Sequence, residues 1–143
     1  MALFCAIILS PAVDARRGQN LEADTLTVIR GRVVCLDESN QLFGCDNQAS
    51  RYGILDNNSK LYKFDPLKPS TAVFTDARVR ARDLQITARI DGKNQLELIK
   101  LQLIKEGNLY DIYYFCEICN IRAYTPGPCP CCRNELEFRE TPP

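Results

Sequence analysis

Apolar and polar residues alternate along much of this chain with the period of two expected of half-buried strands. From Leu26 to Leu36 (LTVIRGRVVCL) the sequence is rich in β-branched residues, and Thr27, Ile29, Val33 and Cys35 share one parity. Gly31 interrupts that run and predicts a bulge or a close backbone approach. Residues 37–50 are polar and read as a loop. The runs YGIL and KLYKF then flank Asp56-Asn57-Asn58-Ser59, residue types that tolerate left-handed backbone angles, so a β-hairpin is predicted. Pro66 and Pro69 punctuate a long excursion, and the sequence predicts no helix longer than a turn or two except around residues 71–82. Residues 84–90 alternate, with Leu84, Ile86, Ala88 and Ile90 on one face; Asp91-Gly92 turns the chain into a strand over residues 96–104. Within that strand the pattern changes phase. Leu96 and Leu98 share one parity, and Ile99, Leu101 and Leu103 the other, so a bulge near Leu98 is expected to bring both sets to one face. Residues 109–115 (LYDIYYF) form a last strand.

About five strands joined by hairpins and one excursion predict an all-β protein, in which closure into a small barrel would remove exposed edges. Arg78, Arg80 and Arg82, at every second position, would form one basic stripe if extended, a possible partner contact or a solvated face that blunts an edge.

Composition narrows the chemistry. The chain has 143 residues, with 18 basic and 18 acidic residues that cancel, so no long-range field favours a polyanion. It contains no histidine, which excludes histidine-ligated metals, serine– or cysteine–histidine nucleophile pairs and the usual near-neutral proton shuttle. Asp56, Asp65, Asp76 and Asp83 are scattered turn residues without the pairing that acid–base catalysis needs. A non-enzymatic protein is expected.

The cysteines carry the chemistry that is left. Cys116-Glu-Ile-Cys119 and Cys129-Pro-Cys-Cys132 are two Cys-x-x-Cys pairs separated by nine residues that include Pro126-Gly127-Pro128. Each pair can supply two thiolates from one reverse turn, and two turns complete a tetrahedral set. Cys116, Cys119, Cys129 and Cys132 are therefore the expected ligands of one structural zinc, with iron as the alternative metal. Cys131 is either a spare thiol or a substitute for Cys129. Disulfides are the competing reading of the cluster. Cys35 and Cys45, ten residues apart, are a candidate disulfide in an oxidising compartment. The aromatics Tyr110, Tyr113, Tyr114, Phe115, Tyr124 and Phe138 read as the small core that a metal module needs, or in part as a protein contact.

Residues 2–13 (ALFCAIILSPAV) form an apolar run that ends near Val13-Asp14-Ala15. This reads as a signal peptide cleaved after Ala15, although a basic leading region is missing; the alternative is an apolar first strand. The run is too short to span a bilayer. Export to the periplasm or the extracellular space is expected, with a cytoplasmic protein as the alternative.

The runs GRVVCL, YGILDNNSKLYKF and LQITARIDGKNQLELIKL, over roughly residues 25–105, resemble exported bacterial OB-fold-like domains, with Ala88 where those domains usually carry Gly. The final segment, with Y-x-C-x-x-C opening at Tyr114 and C-P-x-C closing at Cys132, resembles zinc ribbons and the shortened rubredoxin-type knuckles that end rubrerythrins. In those knuckles the residue after each pair is commonly Gly; here Asn120 and Arg133 stand there, which disfavours a tuned iron site more than zinc. Residues 16–24 are polar and read as a flexible lead-in, and the resemblances imply an OB-like five-stranded barrel over 25–108 and a zinc-ribbon-like mini-domain over 109–143. The expected function is that of an exported, metal-stabilised binding or structural module with a protein partner or self-association. An electron-transfer or thiol-redox protein is the alternative, and a nucleic-acid binder combining an OB-fold and a zinc ribbon is a second, disfavoured by the neutral charge.

Overall fold

A computed structural model describes residues 25–45 and 51–143; the expected signal peptide and lead-in lie outside these. The class is all-β. Strands β1 (Leu26–Leu36), β2 (Leu42–Phe43), β3 (Arg51–Asp56), β4 (Leu61–Lys63), β5 (Leu84–Ile90), β6 (Leu96–Lys105), β7 (Asn108–Cys116), β8 (Ile121–Ala123) and β9 (Glu137–Thr141) form one sheet. Its order is β4-β3-β1-β5-β6-β7-β8, with β2 added to β1 and β9 to β7.

β1 is the spine. Its first half pairs with β5 and its second half with β3, and Gly31 faces both Leu84 and Asp56. A Cβ on Gly31 would lie 2.0 Å from the Leu55 carbonyl oxygen, so the close approach read from the sequence is real and only glycine fits. The bulge in β6 also forms. Thr87 pairs with Lys100 and Ala88 with Leu98, which leaves Ile99 unmatched and half exposed. Leu96, Leu98, Leu101 and Leu103 thereby all reach the core.

One turn design is used three times. At Asp37–Asn40, Asp56–Ser59 and Asp91–Asn94 the aspartate carboxylate accepts the backbone amide of the residue after the turn. The aspartate N–H donates to the carbonyl of the residue after the turn, and the fourth residue is left-handed, with φ of 62°, 62° and 60°. Short polar side chains make this conformation accessible. The first of these turns forms the small β1–β2 hairpin inside the polar stretch over residues 37–50 that reads as loop in the sequence.

The expected closed barrel is not formed. β4 is only three residues long, and beyond it a single parallel bridge, Phe64 to Leu96, with the Asp65 N–H donating to the Leu96 carbonyl at 3.0 Å, is the only backbone pairing of this edge with β6 among the described residues. Pro66 has no N–H with which to extend a ladder. A helical excursion covers the opening instead: a 3₁₀ helix over Pro69–Thr75 and a single turn, α1, over Ala77–Arg80. They drive Val73, Phe74 and Val79 into the core, where the Phe74 ring packs 4.8 Å from Phe64 and 5.5 Å from Tyr52. The same excursion corrects the reading of the arginines. Arg78, Arg80 and Arg82 lie on and after α1 rather than on a strand, and each has a different internal partner. Arg78 grips Asp76, Arg80 donates to the Phe74 and Thr75 carbonyls at 2.7 and 2.8 Å, and Arg82 lies 3.8 Å from Glu140. No shared basic stripe results. Cys35 and Cys45 form a disulfide, with Cα atoms 5.3 Å apart, that ties β1 to the chain beyond β2.

Candidate metal centre

β7 carries the sheet into the cysteine segment. It pairs with β6 through Asn108–Asp111, with β9 through Asp111–Phe115 and with β8 through Tyr114–Cys116. The Cys116–Ile121 pairing closes a tight reversal around the first Cys-x-x-Cys pair, and Asn120 adopts φ 52° there. In the second pair the Arg133 N–H donates to the Cys129 carbonyl at 2.9 Å, and the Cys129 N–H donates to the Asn134 carbonyl at 2.7 Å. Arg133 sits at φ 65°, a conformation uncommon for a long side chain. The two positions where glycine is usual thus take the backbone that glycine would supply.

The four sulfur atoms of Cys116, Cys119, Cys129 and Cys132 all lie within 4.8 Å of one another, and those of Cys116 and Cys132 are 3.5 Å apart. Thiolates about 2.3 Å from a tetrahedral ion would be roughly 3.8 Å apart, so little movement separates this arrangement from a ligand sphere. Cys129 is fully buried and Cys116 nearly so, while Cys119 and Cys132 are half-buried. The cluster can therefore hold a metal ion. Cys131 is exposed and lies outside it, so the second pair contributes Cys129 rather than Cys131.

The local electrostatics are uneven. The Cys132 and Cys131 amides point at the Cys129 sulfur and, against the effect of burial, draw its thiol down to about 7. The Cys119 amide acts likewise on Cys116, but burial and the Cys132 and Cys129 sulfurs outweigh it, so that thiol is raised. Cys119 is pushed up strongly by the neighbouring Cys131 side chain and by burial. One sulfur is poised as thiolate and two resist ionisation, as expected of a crowded sulfur set whose full deprotonation needs a cation at its centre.

A polar clamp behind the centre escaped the sequence reading. Asp76, read there as one of several scattered turn residues, caps α1 by accepting the Arg78 N–H at 2.9 Å. It also accepts the Arg78 guanidinium at 2.7 Å and the buried Tyr114 hydroxyl at 2.9 Å. Arg78 in turn lies 4.6 Å from the centroid of the Phe138 ring, which packs edge-on against Tyr114. The excursion is thereby fastened to β7 two residues before Cys116. An aspartate directly preceding a short Ala-Arg-Val-Arg run is a cap signal that could have located one end of this clamp. Burial of the Asp76 carboxyl alone would raise its pKa. The Arg78 side chain and amide and the Tyr114 hydroxyl more than reverse that, so it stays below the usual carboxylate range, while burial and Asp76 push the Tyr114 phenol far up.

Among the described residues no helix is long and apolar enough to cross a membrane. No protein-family model, curated protein or solved structure matches this chain.

Proposed function

We propose that this protein is a non-enzymatic, exported binding or structural module in which Cys116, Cys119, Cys129 and Cys132 hold one zinc ion. The observation that carries the reading is the convergence of four sulfur atoms, all within 4.8 Å of one another, from two reverse turns. Such a donor set has no open position, and closed four-thiolate sites stabilise folds rather than activate water. The metal would join β8 and the second Cys-x-x-Cys turn to the end of β7, where Cys116, Cys129 and Leu136 extend the hydrophobic core. Export is supported by the apolar run at residues 2–13 and by the Cys35–Cys45 disulfide, a bond that persists in oxidising compartments.

An iron site is the second reading, and one observation favours it. Asn120 and Arg133 take positive φ, and amides point at the Cys116 and Cys129 sulfurs, so the glycine substitutions do not deprive the site of the hydrogen bonds that tune iron–thiolate redox chemistry. Elemental analysis of protein purified from its native host separates the two. One equivalent of zinc in a colourless protein is expected. One equivalent of iron with visible thiolate charge-transfer bands would replace zinc with iron and restore the electron-transfer reading. Absence of any tightly held metal, with the four thiols joined pairwise, would end both.

A further inference from the structure

β7 is paired unevenly. On one side β9 accompanies it from Asp111 to Phe115 without a break. On the other side β6 stops pairing at Asp111 and β8 begins only at Tyr114, so Ile112 and Tyr113 have no paired strand there among the described residues. β6 diverges at the same point. Upstream of Gln102, its residues Leu98, Lys100 and Leu101 pair with β5 alone, and Ile99 is the bulge residue. A slot is left between two strands of one sheet. It opens into a cavity of about 520 Å³ whose lining includes Leu98, Leu101, Ile112 and Tyr113, with the 3₁₀ helix contributing Val73. Ile99 and Tyr124, 50% and 70% exposed, flank it.

Backbone groups at such an edge need partners, and apolar walls select an occupant that carries apolar side chains. The charges at the rim refine its identity. Lys100 is already paired with Asp111 at 3.3 Å. Arg122 lies 3.9 Å from the centroid of the Tyr113 ring with no carboxylate among the described residues bound to it, so the slot presents one uncompensated cation. We propose that this slot is a β-addition site for an extended peptide segment of a protein partner, apolar at alternate positions and bearing an acidic residue that meets Arg122. Backbone pairing along Leu98–Leu101 would supply affinity, and the apolar pocket and Arg122 would supply selectivity. This names the partner class for the binding module proposed above and rests on that reading, but the slot is built by β6 and β7 and is assayed separately from metal content.

The test uses the full, metal-loaded chain and a fluorescein-labelled peptide, Asp-Val-Thr-Val-Thr, followed by anisotropy and by amide hydrogen exchange. Saturable binding is expected, with new protection confined to Leu98–Leu101 and Ile112–Tyr113. The same peptide N-methylated at every backbone amide is expected not to bind, because it has no N–H to offer to either strand edge. Arg122→Glu, at an exposed position, should weaken the acidic peptide about fivefold or more and favour a peptide in which lysine replaces the aspartate. Ile99→Asp provides a second variant at an exposed position and should also weaken binding. Equal binding of the N-methylated peptide, protection elsewhere, or no binding by a chain that holds its metal would overturn the proposal while leaving the metal centre standing. Slot amides already protected in the free protein would overturn it too: with a dimer in light scattering they would assign the slot to a second copy, and with a monomer to the chain's own residues.

Discussion

Replacing Asp76 with alanine removes the clamp between the helical excursion and β7, and its consequence can be worked out group by group. The cap of α1 would be lost, an effect of about 1 kcal/mol. The Tyr114 hydroxyl, on a side chain with 1% exposure, would be left without its partner, which costs roughly 1–3 kcal/mol. Arg78 is half exposed and its released guanidinium can be hydrated, so its contribution is about 1 kcal/mol or less. Asp76→Ala should therefore destabilise the protein by about 2–5 kcal/mol. The cap uses Oδ1 and the tyrosine Oδ2; Asp76→Asn keeps one acceptor oxygen of the two and should lose about half as much. Urea unfolding followed by circular dichroism under reducing-agent-free conditions gives both values. A cycle with Tyr114→Phe should show coupling of about 1 kcal/mol between the two positions. The pH dependence has a fixed sign. The Asp76 carboxyl is depressed in the folded state, so its stabilisation is fully present above the ordinary carboxylate value of 3.8 and disappears as pH falls through the lower folded value. Asp76→Asn should abolish that part of the acid sensitivity. A loss below about 0.5 kcal/mol for Asp76→Ala, or unchanged acid unfolding in Asp76→Asn, would refute the clamp.

The remaining predictions concern the cysteines and the spine of the sheet. Cys129→Ser should abolish stoichiometric metal retention, whereas Cys131→Ser should leave it unchanged, as read by elemental analysis of dialysed protein. Paired Cys35→Ser and Cys45→Ser changes open a ten-residue loop and should lower stability in urea by about 2–3 kcal/mol, with a matching loss when the wild type is reduced in the presence of excess zinc. Gly31→Ala would place a methyl carbon 2.0 Å from the Leu55 carbonyl. It should separate β1 from β3 and cost about 3 kcal/mol or more, detected as a fall in melting temperature.

Local pattern settled a good part of this molecule. β1, β5, β6 and β7, the hairpin turns at Asp56 and Asp91, the need for glycine at residue 31 and the bulge at Ile99 all follow from alternation and turn chemistry, because neighbouring residues decide which face a side chain takes. The grouping of Cys116, Cys119, Cys129 and Cys132 was legible for the same reason: each pair lies in one short turn, and only nine residues separate the turns. Pairing between distant segments was not legible. Whether β4 reaches β6 depends on where Pro66 stops a three-residue strand and on how Phe74 fills the space beside Phe64. The arginines at 78, 80 and 82 show an alternation that would suit a strand, yet Asp76 and the buried Val73, Phe74 and Val79 commit that stretch to helical turns. Tyr114 finds Asp76 across 38 residues, and the slot beside β7 exists because two of its neighbours end at different registers. Alternation fixes the face a residue presents, but packing in three dimensions chooses the neighbour on that face.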